Sequence, residues 1–320
     1  MIKRLILFLI ALLNIAGAMA QTKKKTTAKK NAAAVNAFQL EKTLLWEISG
    51  NGLTKSSYLF GTMHMLCAKD ALLSDSLRYA ISNSKEVYFE VDLDNFMETL
   101  GAMSYMNMKG NKTLSDFLTP EEYKRVKDYF KNGKSLLPLN MMERMKPYFI
   151  TAMISESKFP CTEKDGMEMV IMKEAKKQNK NIKGLESIKY QASIFDSIPY
   201  EKQAKELVML VDSAVANKDK PASNDSDYQL LDVYRNQDID KMIELTSAEE
   251  SMKQYLDILL WNRNANWVQK MPTLMKENTL LFAVGAGHLG GEKGVIQLLR
   301  KAGYTVRPVT HKPAIEKEVI

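Results

Sequence analysis

The sequence predicts an α/β fold, and three observations predict it. Two segments far apart in the chain share one order of elements: a short apolar strand, a GxxH turn, a helix and a second strand. The residues between them place apolar side chains mostly at helical spacing, which reads as a large helical insert. No short-period repeat and no internal linker interrupts residues 37–320, so they read as one α/β domain.

The first segment begins with Ser57-Tyr58-Leu59-Phe60, an apolar strand that ends in Gly61-Thr62-Met63-His64. Leu73, Leu77 and Ile81 recur every fourth residue and predict a helix from about Ser74 to Ser82. The β-branched and aromatic run from Glu86 to Asp92 predicts the next strand. In the second segment, the strand Leu280 to Val284 ends in Gly285-Ala286-Gly287-His288. A helix follows from about Lys293 to Ala302, with Val295, Leu298, Leu299 and Ala302 on one face. Gly303 ends it, and Tyr304 to Val309 forms the last strand. Each segment has the order of a βαβ unit.

Between them, Thr119 caps a helix that Pro120, Glu121 and Glu122 open toward Phe130. Further helices are predicted over Glu143 to Ser155 (interrupted by Pro147), Asp165 to Gln178 and Glu201 to Ala216. A loop containing Pro221 follows at Asn217 to Asp227, then helices over Ile239 to Leu245, Glu249 to Trp261 and onward to Met275. Asn181 to Leu185 is a short strand that ends at Glu186.

Charge excludes one class of partner. The chain carries 45 Lys and Arg against 38 Asp and Glu, but seven of the basic residues and none of the acidic ones lie in residues 1–36. Beyond that point the two signs balance at 38 each, so no basic stripe for nucleic acid is implied. Residues 1–20 read as an export signal: Lys3 and Arg4, an apolar run from Leu5 to Leu13, and Ala18-Met19-Ala20 as cleavage site. The run is too short to span a membrane comfortably, and no membrane span is expected after cleavage. Residues 21–36 are a Lys/Ala/Thr tract, expected as a disordered basic linker. The expected destination is secretion, most simply to a bacterial periplasm. Cys67 and Cys161 are the only thiols and admit two readings, a disulfide or a soft metal ligand at Cys67, three residues after His64.

The chemistry is expected at the two turns. The chain has three histidines, and two of them, His64 and His288, occupy equivalent places. In an α/β sheet, ligands bind where strand C-termini open, because unpaired amides and helix N-termini face a crevice there. Neutral imidazole is a common ligand for divalent transition metals, and two of them need carboxylates to complete a site. Glu90 lies near the end of its strand with Asp92 and Asp94 beyond, and Glu186 ends another. A carboxylate inside an apolar strand is costly to bury unless it is paired or coordinated. The competing readings are an edge-strand Glu90 facing water and a Glu186 that caps the next helix. Arg263 and Asn264 lie between Trp261 and Trp267, where an arginine either stacks on the rings or reaches the crevice.

Other motifs weigh less. Met103, Met106 and Met108 resemble a Cu(I) cluster, but with 20 methionines in the chain core filling is the better reading. HExxH, GxSxG and P-loop motifs are absent from the sequence. Gly285-x-Gly287-x-x-Gly290 matches a dinucleotide fingerprint in form, yet it holds His288 and leaves no room for an acidic ribose partner.

At these residues the sequence resembles the TraB/GumN family, which includes the Tiki-type metalloproteases. The resemblance rests on LLWEISG (44–50), YLFGTMHM (58–65), VYFEVD (87–92), KPY (146–148) and DGMEMVIMKEAKKQNKNIKGLES (165–187). It continues through WNRNANWV (261–268) and LLFAVGAGHLGGEKGVIQLLRKAGYTVRPV (280–309). It implies a pseudo-symmetric mixed-sheet core built from the two strand–GxxH–helix–strand units, with both histidines and a glutamate in one cleft. It implies a divalent ion (Mn, Co or Zn) held by His64, His288 and Glu90, with Glu90, Arg263 and Glu186 as the catalytic set and Asn264 as a neighbour. Glu168 stands where related sequences often have Asp, and its role stays open.

The expected function is a secreted metal-dependent hydrolase, a peptidase acting on peptides or proteins. The ion would activate water, Glu90 would be ligand or general base, and Arg263 would stabilise negative charge. The alternatives are a non-catalytic periplasmic metal-, haem- or peptide-binding protein using the same cleft, and an envelope interaction protein that has lost its chemistry.

Overall fold

The computed structural model describes residues 39–132, 138–159, 161–216, 226–248 and 253–312. The expected export signal, the basic linker and most of the loop around Pro221 lie outside the described residues. In chain order the elements are β1 (Leu45–Ser49), β2 (Ser57–Thr62), β3 (Leu66–Cys67), α1 (Asp75–Asn83) and β4 (Glu86–Val91). Then come α2 (Phe96–Tyr105), α3 (Pro120–Asn132), α4 (Pro147–Ser157), β5 (Lys164–Asp165), α5 (Met167–Lys177) and β6 (Asn181–Glu186). They are followed by α6 (Ile188–Ile194), α7 (Tyr200–Ala216), α8 (Ser226–Arg235) and α9 (Ile239–Ala248). The last are α10 (Asn262–Met275), β7 (Leu280–Gly285), α11 (Val295–Lys301) and β8 (Thr305–Val309).

The described residues cluster into two compact units, one from within 95–160 and 187–228, the other from within 20–94, 161–186 and 229–320. The first is all helical. Pro147 does not interrupt its helix but starts it at the first turn, where the missing N–H costs nothing. Tyr148 stacks on Phe195 at 4.2 Å, and Phe149 meets the same ring at 5.2 Å. The neighbouring Lys146 is buried, and its ammonium donates to Tyr105 O (3.0 Å), Ala192 O (2.7 Å) and Asp196 Oδ1 (3.0 Å). A cation is thus placed against carbonyls near the C-terminal ends of α2 and α6, where the helix dipoles favour it.

The second unit is built on a six-stranded mixed sheet of order β6-β4-β7-β2-β1-β8. β6, β4, β7 and β2 run parallel, and β1 is antiparallel to both β2 and β8. β7 (LLFAVG) is buried along its whole length, as a strand central to a parallel block must be. β1 belongs to a stretch read from sequence only as a family motif. Its Trp46 is fully buried and donates Nε1–H to Thr43 O at 3.2 Å. β4 lies between β6 and β7, so the edge-strand reading of Glu90 is wrong: its carboxylate is 3% exposed.

The chain does not lay its strands side by side in order. β2 and β4 are separated by β7, and β7 and β8 by β2 and β1. From β2 the chain moves toward β4 and β6, and from β7 it moves to the other edge. That reversal makes the carboxyl ends of the central strands a topological switch point, the kind of place where α/β sheets hold their sites. Helix boundaries follow local chemistry. Ser74 caps α1 by accepting from Leu77 N at 3.1 Å. Thr119 and Glu122 close a reciprocal capping box on α3, at 2.9 and 3.2 Å.

Candidate functional site

Four parallel strands deliver the site residues at neighbouring carboxyl ends. β4 brings Glu90, β6 ends at Glu186 (register partner of Val91), and β2 and β7 end side by side at Thr62 and Gly285 just before the two turns. His64 and His288 follow directly. The site lies wholly within the sheet unit.

His288 is fully buried, with its ring 4.6 Å from that of Trp267. Asn264 orients it. The Asn264 amide nitrogen donates to His288 O (3.2 Å) and Lys293 O (2.9 Å), which leaves its oxygen facing His288 Nδ1 at 2.6 Å. Nδ1 therefore carries the proton, and the Nε2 lone pair is turned toward Arg263 Nη1 (3.0 Å) and Glu90 Oε1 (3.7 Å). Burial, aided by Arg263 and His64, pushes its pKa down to about 3 against the pull of Glu90, so His288 is neutral.

Arg263 is the hub. It is completely buried, and its guanidinium donates to Glu90 Oε2 (2.6 Å), to Glu186 Oε1 (2.9 and 2.6 Å) and to Leu259 O (2.9 Å). It also lies 4.8 Å over the Trp267 ring. Stacking on the ring holds, and beside it the guanidinium pairs with two buried carboxylates. A π-helical turn at Asp257–Trp261 precedes α10, an irregularity often found at functional sites.

The carboxylates respond to this cation. Burial raises the Glu90 carboxyl, but Arg263, His288, His64 and the Gly285 amide (2.8 Å from Oε1) more than offset it and hold it well below the ordinary range. Glu186 is raised: burial outweighs Arg263, and the charge on Glu90 adds to it. Its Oε2 accepts from Trp267 Nε1 at 3.0 Å. Glu186 is thus no helix cap; Ser187 caps α6 instead. Arg263 itself is lowered by burial but raised further by the two glutamates, and stays charged.

His64 is held differently. Its Nδ1 lies 2.7 Å from Glu168 Oε1, both side chains being buried. Glu168 is in the first turn of α5, whose Met167 N–H donates to Met63 O at 3.1 Å. Gly166 makes that approach possible, because a Cβ there would sit 2.4 Å from His64 O. A two-stranded ribbon of β3 and β5, with Ala68 N bonded to Glu163 O (3.0 Å), ties the two segments together. Cys67 and Cys161 form a disulfide with Cα atoms 5.6 Å apart, which overturns the reading of Cys67 as a metal ligand. Burial lowers the His64 pKa, but Glu168 and Glu90 more than reverse it, and the net direction is up.

The predicted residues Glu90, Glu186, Arg263 and His288 therefore meet in one buried cluster, and His64, in contact with Glu168, acts on Glu90 and His288 through its field. Asp92 and Asp94 stay outside it: Asp92 accepts from Asp94 N at 3.0 Å, and Asp94 pairs with Lys176. Glu168, left without a role by the sequence, is the partner of His64. Its only sequence signal was a glycine two positions before a carboxylate at a helix start. Asn264, read as a neighbour, proves to orient His288.

In this arrangement the donor set of the described residues does not close round a divalent cation. Among the described residues the buried side-chain atoms with no hydrogen-bond partner include His64 Nε2, Thr62 Oγ1 at the end of β2, and Glu168 Oε1, whose approach to His64 Nδ1 is an ion-pair contact. Three carboxylates, of Glu90, Glu168 and Glu186, share the neighbourhood with the single guanidinium of Arg263, which leaves the cluster short of positive charge. Among the described residues no three His, Cys, Asp or Glu side chains converge as a closed metal-holding group, and Arg263 Nη1 faces the His288 lone pair.

A profile of the TraB/PrgY/gumN family matches residues 44–308. The chain belongs to that family. A metalloprotease TIKI homolog from Amphimedon queenslandica is 25% identical over 319 residues, covering 83% of this chain and 61% of the relative. Metalloprotease TIKI1 from Danio rerio is 24% identical (85% and 63% covered), and metalloprotease TIKI2 from Xenopus tropicalis 24% (81% and 58%). The chain spans about three fifths of the length of these relatives. No solved structure matches it. In this TraB/PrgY/gumN member the family stretches have separate physical tasks. Glu186 and Arg263-Asn264 build the ion-pair cluster, Gly166 and Glu168 hold His64, and Lys146 of KPY is a structural cation in the helical unit.

Proposed function

We propose that the protein is a secreted metal-dependent hydrolase acting on peptides or proteins. The observation that carries this reading is the buried His64 Nε2, which has no hydrogen-bond partner and lies within electrostatic reach of an ionised Glu90, while His288 has its Nδ1 taken by Asn264 and its Nε2 met by Arg263. His64, His288 and Glu90 would hold the ion, with Mn, Co or Zn as candidates by ligand type. When bound, such an ion supplies Lewis acidity and a water of lowered pKa.

The chain's own groups supply the rest. Glu90, kept ionised at neutral pH, is a ligand or the acceptor of a proton from the attacking water. Arg263 keeps its charge, and with its five N–H donors spent on Glu186, Glu90, Leu259 O and His288 it acts on the site through its field and by holding Glu90 in place. Glu186 holds the guanidinium in place through two hydrogen bonds. The metalloprotease names of the relatives support a protease at family level. The Cys67–Cys161 disulfide supports an oxidising compartment, in keeping with residues 1–20 as an export signal. Among the described residues no helix is long and apolar enough to cross a membrane.

A haem-binding role draws less support, because an ionised carboxylate and a guanidinium share the cluster where a porphyrin needs apolar walls. The test is elemental analysis of the purified protein beside its His64→Ala/His288→Ala variant, with cleavage of a peptide library as second readout. Stoichiometric metal and cleavage, both lost in the folded double variant, are expected. A folded His64→Ala protein that keeps its metal and its hydrolysis overturns the assignment.

A further inference from the structure

The groups of the cluster are closed to a substrate: the His64 side chain is 9% exposed, and Glu90, Arg263 and His288 less. A single stretch of chain touches both turns, residues 229–248 of α8, α9 and the turn between them. It belongs to the same unit as the site. Tyr234 is buried, donates to Gly61 O at 3.0 Å and accepts from the Met63 backbone, so it grips the two peptide groups that flank Thr62. On the second turn Ile239 and Ile243 fill the space that glycines leave. A Cβ on Gly290 would meet Ile239 Cγ2 at 2.7 Å and Ile243 Cγ1 at 3.1 Å, and one on Gly291 would meet Ile243 Cγ2 at 3.7 Å. The glycines after His288 thus make room for α9.

We propose that residues 229–248 are a strap over the two turns, and that His64 is reached only when this strap lifts as a unit from a sheet that stays folded. The inference deepens the hydrolase reading and rests on it only for what the opened site would admit, a peptide.

The strap is tied more weakly than the strands beneath it. β7 is buried along its whole length and paired on both sides. The strap has the Tyr234 bond, a bond from Gln237 Nε2 to His311 O (2.6 Å) and one from Leu40 N to Asp240 Oδ2 (2.8 Å). Arg235 pairs with Asp70 at 2.6 Å and Asp238 with Lys42 at 2.9 Å, both partly exposed, and such pairs contribute little. The turn between the helices carries two costs in the closed form. Gln237 takes a left-handed backbone, φ 55°, which is penalised in a residue with a side chain. Its Oε1 is buried without a hydrogen-bond partner. Lifting relieves both. A segment held by few buried contacts opens at less free energy than the whole molecule needs to unfold.

The test uses the full chain, with amide hydrogen exchange read by mass spectrometry and reaction with diethyl pyrocarbonate at a mildly alkaline pH. The reagent takes a neutral imidazole nitrogen, and His64 Nε2 is one that no hydrogen bond occupies. In the wild type, the amides of residues 229–248 are expected to exchange together and ahead of those of β7. His64 is expected to be protected from the reagent by the same factor as the strap amides. In Ile239→Ala/Ile243→Ala, strap exchange and His64 reaction are expected to rise together, about tenfold or more, with the strap still ahead of β7. Tyr234→Phe, which loses one hydrogen bond, is expected to raise both about fivefold.

Strap amides as protected as those of β7, or a His64 whose protection follows β7 or is missing altogether, would overturn the proposal. So would variants in which the strap exchanges faster while His64 reacts as before. The wild-type comparison decides even where a variant fails to fold. A protein whose strap and His64 open together but which cleaves no peptide sustains this inference and removes the hydrolase reading. One that cleaves peptides while its strap is as protected as β7 does the reverse.

Discussion

The turn carrying His64 is held from outside the sheet, by a covalent link, a two-stranded ribbon and the first turn of α5. The turn carrying His288 is held from within, by Asn264, Trp267 and Arg263, all on α10. Both turns follow parallel strands and share the GxxH spelling, yet one ring gains a carboxylate and the other a buried cation. The pKa directions diverge accordingly, up for His64 and down for His288. The shared motif does not give one backbone, since Ala286–His288 is a 3-10 turn and His64 sits in a bend, and the elements packed over each set the electrostatics.

The strongest way to break the comparison is to remove the link on the His64 side only. A Cys67→Ser/Cys161→Ser variant is expected to lose about 4.7 kcal/mol by the chain-entropy estimate for so long a loop. The His64 ring signals should broaden in NMR while those of His288 stay sharp. Equal effects on both rings would show that the turns are not held separately.

Arg263→Met attacks the other side. It leaves Glu90 and Glu186 without their cation in a buried place, and about 3–5 kcal/mol of stability should be lost in urea unfolding. A neutral result would mean that water takes over the guanidinium's contacts.

Acid sharpens the contrast in the metal-free protein. His288 and His311 have pKa values depressed to about 3 and about 4, largely through burial. As pH falls below their ordinary 6.5, the unfolded chain binds protons that the folded one refuses, so stability present above 6.5 declines toward pH 4. His311, buried against Ser74 and Phe60, contributes about 3 kcal/mol over that window. His64 has the opposite sign: its contribution is present below the ordinary value and fades as pH rises through its raised one. Urea midpoints across pH should show a flatter acid limb in His311→Gln and a flatter neutral limb in His64→Gln. Parallel curves for the two variants would contradict the opposed directions.

Gly166→Ala should cost about 1–3 kcal/mol, because its methyl would meet the backbone oxygen of His64 and α5 must move away to relieve it. That shift should lengthen the Glu168–His64 contact and move the His64 ring signals in NMR, with little change at His288.

Most helices and the strands of the two GxxH segments were legible in the sequence, because apolar periodicity and caps are local signals. Ser74, Thr119 and Pro147 each stand at the helix end their chemistry predicts, although Pro147 starts α4 where it was read as an interruption. β1 was not legible as a strand, since LWEIS earns its place through partners at residues 57–60 and 305–309. Glu90 looked like a residue that could face water at an edge until the strand order put β4 inside the sheet. Cys67 could have been a ligand until Cys161 lay beside it.

The sequence by itself determined the α/β class, the two GxxH turns, the balanced charge beyond residue 36, and the residues able to carry chemistry. These are properties of composition and short-range pattern. Only the tertiary structure decided that β7 enters between β2 and β4, that Arg263 joins Glu90 to Glu186, and that Glu168 and Asn264 divide the two imidazoles between them. Those outcomes depend on groups tens to hundreds of residues apart coming within a few ångströms in a region stripped of water. Spacing along the chain says nothing about such distances.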